Sequence, residues 1–223
     1  MMWQKPLQNH PATLPNESMA FREARPFLIL IGLGTIVLAF FSIWAALPAA
    51  LFFGYVLYFF RDPERAISSD PRDIVSAADG KVIAVDEVVE DYFTKRKMKR
   101  VAVFLSVFDV HVNRTPSAGR VVKVHHHAGE FLDARDPEVD VRNEAMNWLL
   151  QTGRGEIVVR QIAGLIARRI IGWAREGQEL STGERFGMIR FGSRTDVYLP
   201  LECEILVQPG QRVQGGSSVI ARW

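Results

Sequence analysis

Glu184-Arg-Phe-Gly-Met-Ile-Arg-Phe-Gly-Ser-Arg-Thr-Asp-Val-Tyr-Leu199 is the stretch that sets the fold class of this chain. Residues 186–190 and 195–199 are short runs of apolar, β-branched and aromatic side chains with Gly192-Ser193 between them, which predicts two strands meeting at a glycine. The same character extends outward. From Asp62 onward short β-branched runs alternate with turn pairs, Asp-Gly at 79 and 80, Ala-Gly at 118 and 119, Pro-Gly at 209 and 210, and Gly-Gly at 215 and 216. Further strands are expected at 80–85, 100–104, 120–126, 156–162, 204–208 and 218–221. Residues 166–175 predict a helical interruption. The polar, acid-rich 133–143 predicts a surface loop able to close over a site.

No repeat of fixed period is present, although Asp79-Gly80-Lys81-Val82 and Gly210-Gln-Arg-Val213 resemble the strand-turn-strand halves of lipoyl-like sandwich barrels. The expected fold class is therefore mainly β: a sandwich-barrel-like domain over 62–223, preceded by an N-terminal apolar helical hairpin over 26–61 and a polar segment over 1–25.

The hairpin rests on one fact: residues 26–60 carry no charged side chain, and 27–46 alone match the length needed to cross hydrocarbon. The polar residues before it and the lack of a small-residue cleavage site after it argue against a secretory signal. Pro48 divides the stretch, leaving an aromatic-rich second piece at 49–60. That piece is short, so a re-entrant, an interfacial and a spanning position all remain open. Arg22 and Arg25 precede the hairpin and Arg61 and Arg65 follow it, which puts both ends, and the domain behind them, on the cytoplasmic side of the cell membrane. A buried helical pair in a soluble protein is the plainer alternative.

With 223 residues and a formal net charge of +2, the chain gives no electrostatic case for nucleic-acid binding. Its single cysteine, Cys203, excludes an intrachain disulfide and any thiolate metal cluster, and is expected to be a small buried hydrophobe.

Chemistry is first legible at Gly192-Ser193. A serine hydroxyl can attack its own preceding carbonyl and turn amide into ester; β-elimination and hydrolysis then leave an N-terminal pyruvoyl group and ammonia. Gly192, without a Cβ, tolerates the backbone geometry this requires. Alone, a Gly-Ser pair reads far more readily as a bulge or turn. The companions give it weight: Phe59-Phe-Arg-Asp-Pro-Glu-Arg65, Ser76-Ala-Ala-Asp-Gly-Lys-Val82, Leu105-Ser-Val-Phe-Asp-Val-His-Val-Asn-Arg-Thr-Pro116, Arg142-Asn-Glu144 and Gln161-Ile-Ala-Gly-Leu-Ile-Ala-Arg168. Together, and in this order over about 57–200, they resemble the phosphatidylserine decarboxylases, most closely the short bacterial form.

The resemblance implies self-cleavage into a β chain, 1–192, and an α chain, 193–223, with a covalent pyruvoyl group made from Ser193 as cofactor and neither metal nor pyridoxal phosphate. It implies decarboxylation of phosphatidylserine to phosphatidylethanolamine through a Schiff base, with phosphatidylserine, membrane lipid, the two chains of one precursor and a possible homo-oligomeric copy as partners. Asp79 falls on the family's Asp-Gly turn, where a carboxylate can support a histidine. His111 falls where the family carries a histidine, as base towards Ser193 and later proton carrier. Longer members have a second histidine three residues on, where this chain has Arg114. Either His111 serves both tasks or cleavage leans on strain and Asp79. Arg114, Asn143 and Glu144 are candidate headgroup contacts, Arg114 because a guanidinium grips phosphate or carboxylate.

Two features compete. His125, His126 and His127 sit on an expected strand with 125 and 127 on Lys123's face; two histidines there can touch zinc, but no third ligand is evident, and a solvated or membrane-facing strand end is favoured. A second Gly-Ser bond, Gly216-Ser217, reads as part of a closing turn. Functionally, the rivals are a membrane-tethered sandwich-barrel adaptor without catalysis, and a pyruvoyl decarboxylase of another serine phospholipid.

Overall fold

The computed structural model describes residues 18–133, 139–165, 169–190 and 192–223. The chain divides into two units, 1–63 and 64–223. In the first, α1 (Met19–Phe41) starts at Ser18, whose Oγ accepts the Phe21 amide at 3.2 Å, and α2 (Ile43–Phe59) follows. The break falls at Ser42, whose φ of −163° and ψ of 125° are extended, and not at Pro48, which lies inside α2. Pro26 likewise lies inside α1. Each proline removes a backbone hydrogen bond and would cost about 3 kcal/mol in an isolated aqueous helix; transmembrane helices tolerate such residues.

Helix α1 is long and apolar enough to cross a membrane by length and composition; α2, at 17 residues, is shorter. Their apolar side chains point largely outward: Leu30, Phe40, Phe41, Trp44 and Leu51 are each more than 70% exposed. Water would penalise such a surface and lipid would not.

The second unit is β, as expected from the sequence. Its elements are β1 (Asp73–Val75), β2 (Gly80–Val89), β3 (Lys97–Leu105), β4 (Val112–Arg114), β5 (Gly119–His127), α3 (Val139–Arg142), β6 (Ala145–Gln151), β7 (Glu156–Ala163), β8 (Arg169–Gly172), β9 (Glu179–Leu180), β10 (Arg185–Arg190), β11 (Ser193–Leu199), β12 (Glu204–Ile205), β13 (Arg212–Val213) and β14 (Val219–Arg222). Among the described residues a curled eight-stranded sheet runs in the order β13-β2-β3-β11-β7-β6-β5-β9. Two three-stranded sheets, β4-β10-β8 and β1-β14-β12, accompany it. The main apolar cluster joins the large sheet to the small ones, with Val101, Val103, Trp148, Ile157, Val159, Val197 and Leu199 packed with Ile74, Phe186, Ile189 and Ile220. Cys203 belongs to it, and burial pushes its thiol up to about 11, as suits an inert hydrophobe.

Two expectations are corrected. Within 166–175, residues 169–172 are strand β8, paired with β10 in the register Ile171↔Met188 and Ile170↔Ile189, and 173–175 continue without helix; 166–168 lie outside the described residues. Adjacent β-branched Ile170 and Ile171 suit a pleated surface. Of the expected loop 133–143, residues 134–138 lie outside the described residues, and 139–142 form the single turn α3.

Strand β11 is central. It pairs with β3 from Ser193↔Leu105 to Leu199↔Lys99, and with β7 from Ser193↔Ala163 to Tyr198↔Val158. Ser193, Thr195, Val197 and Leu199 share one face by strand alternation, and Arg194, Asp196 and Tyr198 the other. Thr195 is fully buried and its Oγ1 has no hydrogen-bond partner among the described residues. An unsatisfied buried hydroxyl costs stability, and valine has the same shape without it. Thr195→Val is expected to raise the melting temperature by roughly 2–4 °C, corresponding to about 1 kcal/mol, in a thermal scan.

Candidate active site

The turn before β4 and the start of β11 bring His111 to Gly192. His111 is fully buried, and its Nδ1 lies 2.9 Å from the Asp109 carbonyl, which can only accept. Nδ1 therefore carries the hydrogen and Nε2 the lone pair. That lone pair accepts the Gly192 amide hydrogen at 3.2 Å, one residue before Ser193.

The imidazole is set by a braced turn. Asp109 Oδ2 accepts from the Ser106 amide at 2.8 Å and from the Ser106 hydroxyl at 2.6 Å, while Oδ1 pairs with Arg212 on β13. Ser106, Asp109 and Arg212 were not distinguished from the sequence. The contact that orients His111 is a main-chain carbonyl, and no side-chain pattern announces one.

Gly192 has φ +61°, a left-handed conformation that favours glycine, and a Cβ there would meet nothing nearer than Val107 Cγ1 at 3.9 Å. Its requirement is conformational, not spatial. Ser193 is fully buried, and its Oγ has no hydrogen-bond partner among the described residues. Phe191, part of the expected Phe-Gly-Ser element, lies outside the described residues. The rival bond sits elsewhere: Gly216 has φ +80° and donates its amide to Ser76, and Ser217 belongs to a turn closed by amide bonds to Gln214.

Asp79 makes two side-chain hydrogen bonds, from Arg65 at 2.7 Å and from the Gly215 amide at 2.8 Å, and neither involves His111. Burial raises its carboxyl above the usual range, against the opposing pull of the Gly215 bond and the Arg65 charge. Arg114 is buried, and its guanidinium donates to the Gly183 carbonyl at 3.1 Å.

Asn143 is a brace. Its amide hydrogens go to the Leu132 and Ala163 carbonyls at 2.9 and 2.7 Å, and its oxygen accepts the Leu132 amide at 3.0 Å. Ala163 is the register partner of Ser193, so the brace holds the β7 side of the site. Glu144 bonds His126 at 2.9 Å.

His125 and His127 flank the Tyr92 ring at 5.5 and 6.1 Å, on the face opposite His126. Among the described residues no group of three or more His, Cys, Asp or Glu is placed to hold a metal ion.

The Glu144 hydrogen bond raises the His126 pKa above its ordinary value. A raised histidine pKa stabilises the fold below the ordinary value, and the contribution fades as pH rises through the folded one. The pair is partly exposed, so the effect is roughly a few tenths of a kcal/mol. Glu144→Gln is expected to lower the melting temperature slightly at about pH 5.5 and not at about pH 8.5, read from paired thermal scans.

A sequence model of the phosphatidylserine decarboxylases matches residues 52–221. The chain belongs to the phosphatidylserine decarboxylase family. The phosphatidylserine decarboxylase proenzyme of Gluconacetobacter diazotrophicus is 48% identical over 209 residues, covering 89% of this chain and 92% of its own. That of Symbiobacterium thermophilum is 47% identical over 205 residues, covering 90% and 94%. That of Syntrophus aciditrophicus is 44% identical over 211 residues, covering 92% and 98%. The region matched by the phosphatidylserine decarboxylase model contains Asp79, His111, Gly192 and Ser193, so the geometry described above lies inside the shared part of this decarboxylase.

Proposed function

We propose that this enzyme decarboxylates phosphatidylserine to phosphatidylethanolamine with a pyruvoyl group that it makes from Ser193, cutting itself into chains 1–192 and 193–223. The observation that carries the reading is the conjunction at one bond: a buried serine hydroxyl without a partner among the described residues, a left-handed glycine before it, and a histidine lone pair at that glycine's amide. These residues fit the formation of the group.

Ser193 Oγ attacks the Gly192 carbonyl carbon and gives its proton to His111 Nε2, which releases the Gly192 amide hydrogen bond to take it. The C–N bond opens as the ester forms, and the Ser193 nitrogen takes the proton back from His111 and leaves as an amine. Loss of the Ser193 Cα proton and cleavage of the Cβ–Oγ bond release Gly192 as a carboxylate. Water then replaces the nitrogen of the remaining aminoacrylate end, which departs as ammonia. The left-handed backbone at Gly192 and the tautomer fixed by the Asp109 carbonyl favour the first step. Asp79 accepts from Arg65 and from the Gly215 amide and does not orient His111 directly.

Once formed, the group supplies a carbonyl that takes the substrate amine and accepts the electrons left by departing carbon dioxide. His111, shielded from solvent beside residue 193, carries the proton that replaces the carboxylate. Burial of the site keeps bulk water from competing for that proton. The apolar hairpin anchors the enzyme at the cytoplasmic membrane with its β unit facing the cytoplasm. A diacyl lipid is confined to the bilayer, so a tethered enzyme meets it at raised effective concentration.

Purified enzyme in mixed micelles with carboxyl-labelled phosphatidylserine is expected to release labelled carbon dioxide and lose activity to hydroxylamine. Its small fragment should be blocked to N-terminal sequencing. Activity in an uncut chain without a reactive carbonyl would overturn the reading.

A further inference from the structure

Cleavage before Ser193 turns the first residue of a central strand into a chain end, and chain ends fray unless they are tied down. The tie lies on the face of β11 that the chemistry leaves unused. Arg194 is 5% exposed, and its guanidinium forms a bidentate pair with the fully buried Asp196, Nε to Oδ1 at 2.7 Å and NH2 to Oδ2 at 2.6 Å. It also meets Asp140 of α3 at 3.0 Å.

Asp140 is held in turn. Its Oδ2 pairs with Arg100 of β3 at 2.7 Å, and Arg100 is bidentate to Asp86 of β2 at 2.9 and 2.7 Å. Arg160 of β7, the register partner of Asp196, donates to the Asp140 carbonyl and to the Tyr92 hydroxyl. Three guanidiniums and three carboxylates thus span β2, β3, β11, β7 and α3.

Stability alone does not explain this arrangement, because well-packed apolar residues serve a buried face at least as well as an ion network. Geometry does. A bidentate arginine restricts direction as well as distance: the Asp196 pair, within β11, aims the Arg194 guanidinium, and Asp140 ties it to α3 and, through Arg100, to β3.

Resting on the function proposed above, we infer that Arg194, gripped by Asp196 and Asp140, is a positioning residue that holds the chain end created at residue 193 in register between β3 and β7. In the uncut chain residue 193 is tethered from both sides and the grip is redundant. After cleavage the strand pairing and the bridge from Arg194 to Asp140 hold residue 193 from the C-terminal side. The inference also accounts for arginine immediately after the reactive serine.

The test compares Arg194→Lys and Asp140→Asn in the full-length protein, each in the wild-type background and in the uncut Ser193→Ala background. Asp140, on a single helical turn and partly exposed, covers the case in which Arg194→Lys folds poorly. Both variants are expected to be cut, as read by fragment masses. In the cut protein, amide exchange at 194–196 is expected to rise about tenfold while that at 157–159 stays unchanged; in the uncut background neither changes. Decarboxylation should lose about tenfold in kcat with KM unchanged, as for a misplaced reacting group.

An equal rise in exchange in both backgrounds would reduce Arg194 to a structural role and overturn the inference. So would no rise in the cut protein. A wild type that is never cut would overturn the proposed function itself, and the inference with it.

Discussion

Ser193→Ala is expected to leave a single full-length polypeptide with no decarboxylase activity, where the wild type resolves into fragments 1–192 and 193–223. The substitution removes one oxygen atom that is buried and unbonded among the described residues, so it deletes the nucleophile without breaking any contact described around it. The fold should therefore persist, as a single cooperative thermal transition of the uncut chain. Loss of activity with retained fold separates chemistry from structure. Intact mass spectrometry reads the first outcome and a thermal scan the second. Ser217→Ala, in the turn closed onto Gln214, is expected to be cut normally. If it blocked cleavage and Ser193→Ala did not, the assignment of the bond would be wrong.

His111→Ala is expected to slow self-cleavage by about 10²–10⁴-fold, the usual contribution of a positioned base. Precursor should accumulate on a denaturing gel over hours, and added imidazole should recover part of the rate. Asp109→Ala tests the support of the same ring. It removes the carboxylate that Ser106 and Arg212 hold but keeps the carbonyl that His111 Nδ1 faces. A smaller loss of rate, with partial recovery in Asp109→Asn, is expected from a turn that has loosened without losing its base. Cleavage at the wild-type rate in His111→Ala would remove the histidine from the reaction.

How far the sequence reaches can be judged element by element. Strands β10 and β11 were legible because their apolar and β-branched runs are bounded by glycine, and the apolar hairpin because an uncharged run of that length would be costly to expose to water. Strand β6 was not expected: Ala-Met-Asn-Trp-Leu-Leu is buried on both faces, which erases the alternation that marks a strand. The hairpin break was placed at Pro48 because proline is a strong local signal, yet the chain turns at Ser42, whose extended backbone no residue type demands.

The site divides similarly. Gly192, Ser193 and His111 were legible as reactive types, and the fold brings them together. Asp79 was expected to support a histidine directly; its hydrogen bonds run instead to Arg65 and Gly215, residues remote in sequence. Asn143 looked available for a headgroup, but residue type does not reveal whether an amide is already spent on the chain's own carbonyls. The Arg194 network was invisible for the same reason. Its members are scattered from Asp86 to Asp196 and converge only through strand register and the placement of α3.

The central place of β11 has a consequence for the life of the molecule. Under the proposed cut before Ser193, the C-terminal piece would stay zipped between β3 and β7, because leaving would dismantle the largest sheet among the described residues. The proposed maturation would thus be a one-way ratchet: the precursor would melt and refold as one covalent thread, while the cut form, once melted, would have to reunite two separate partners at dilution, in competition with aggregation.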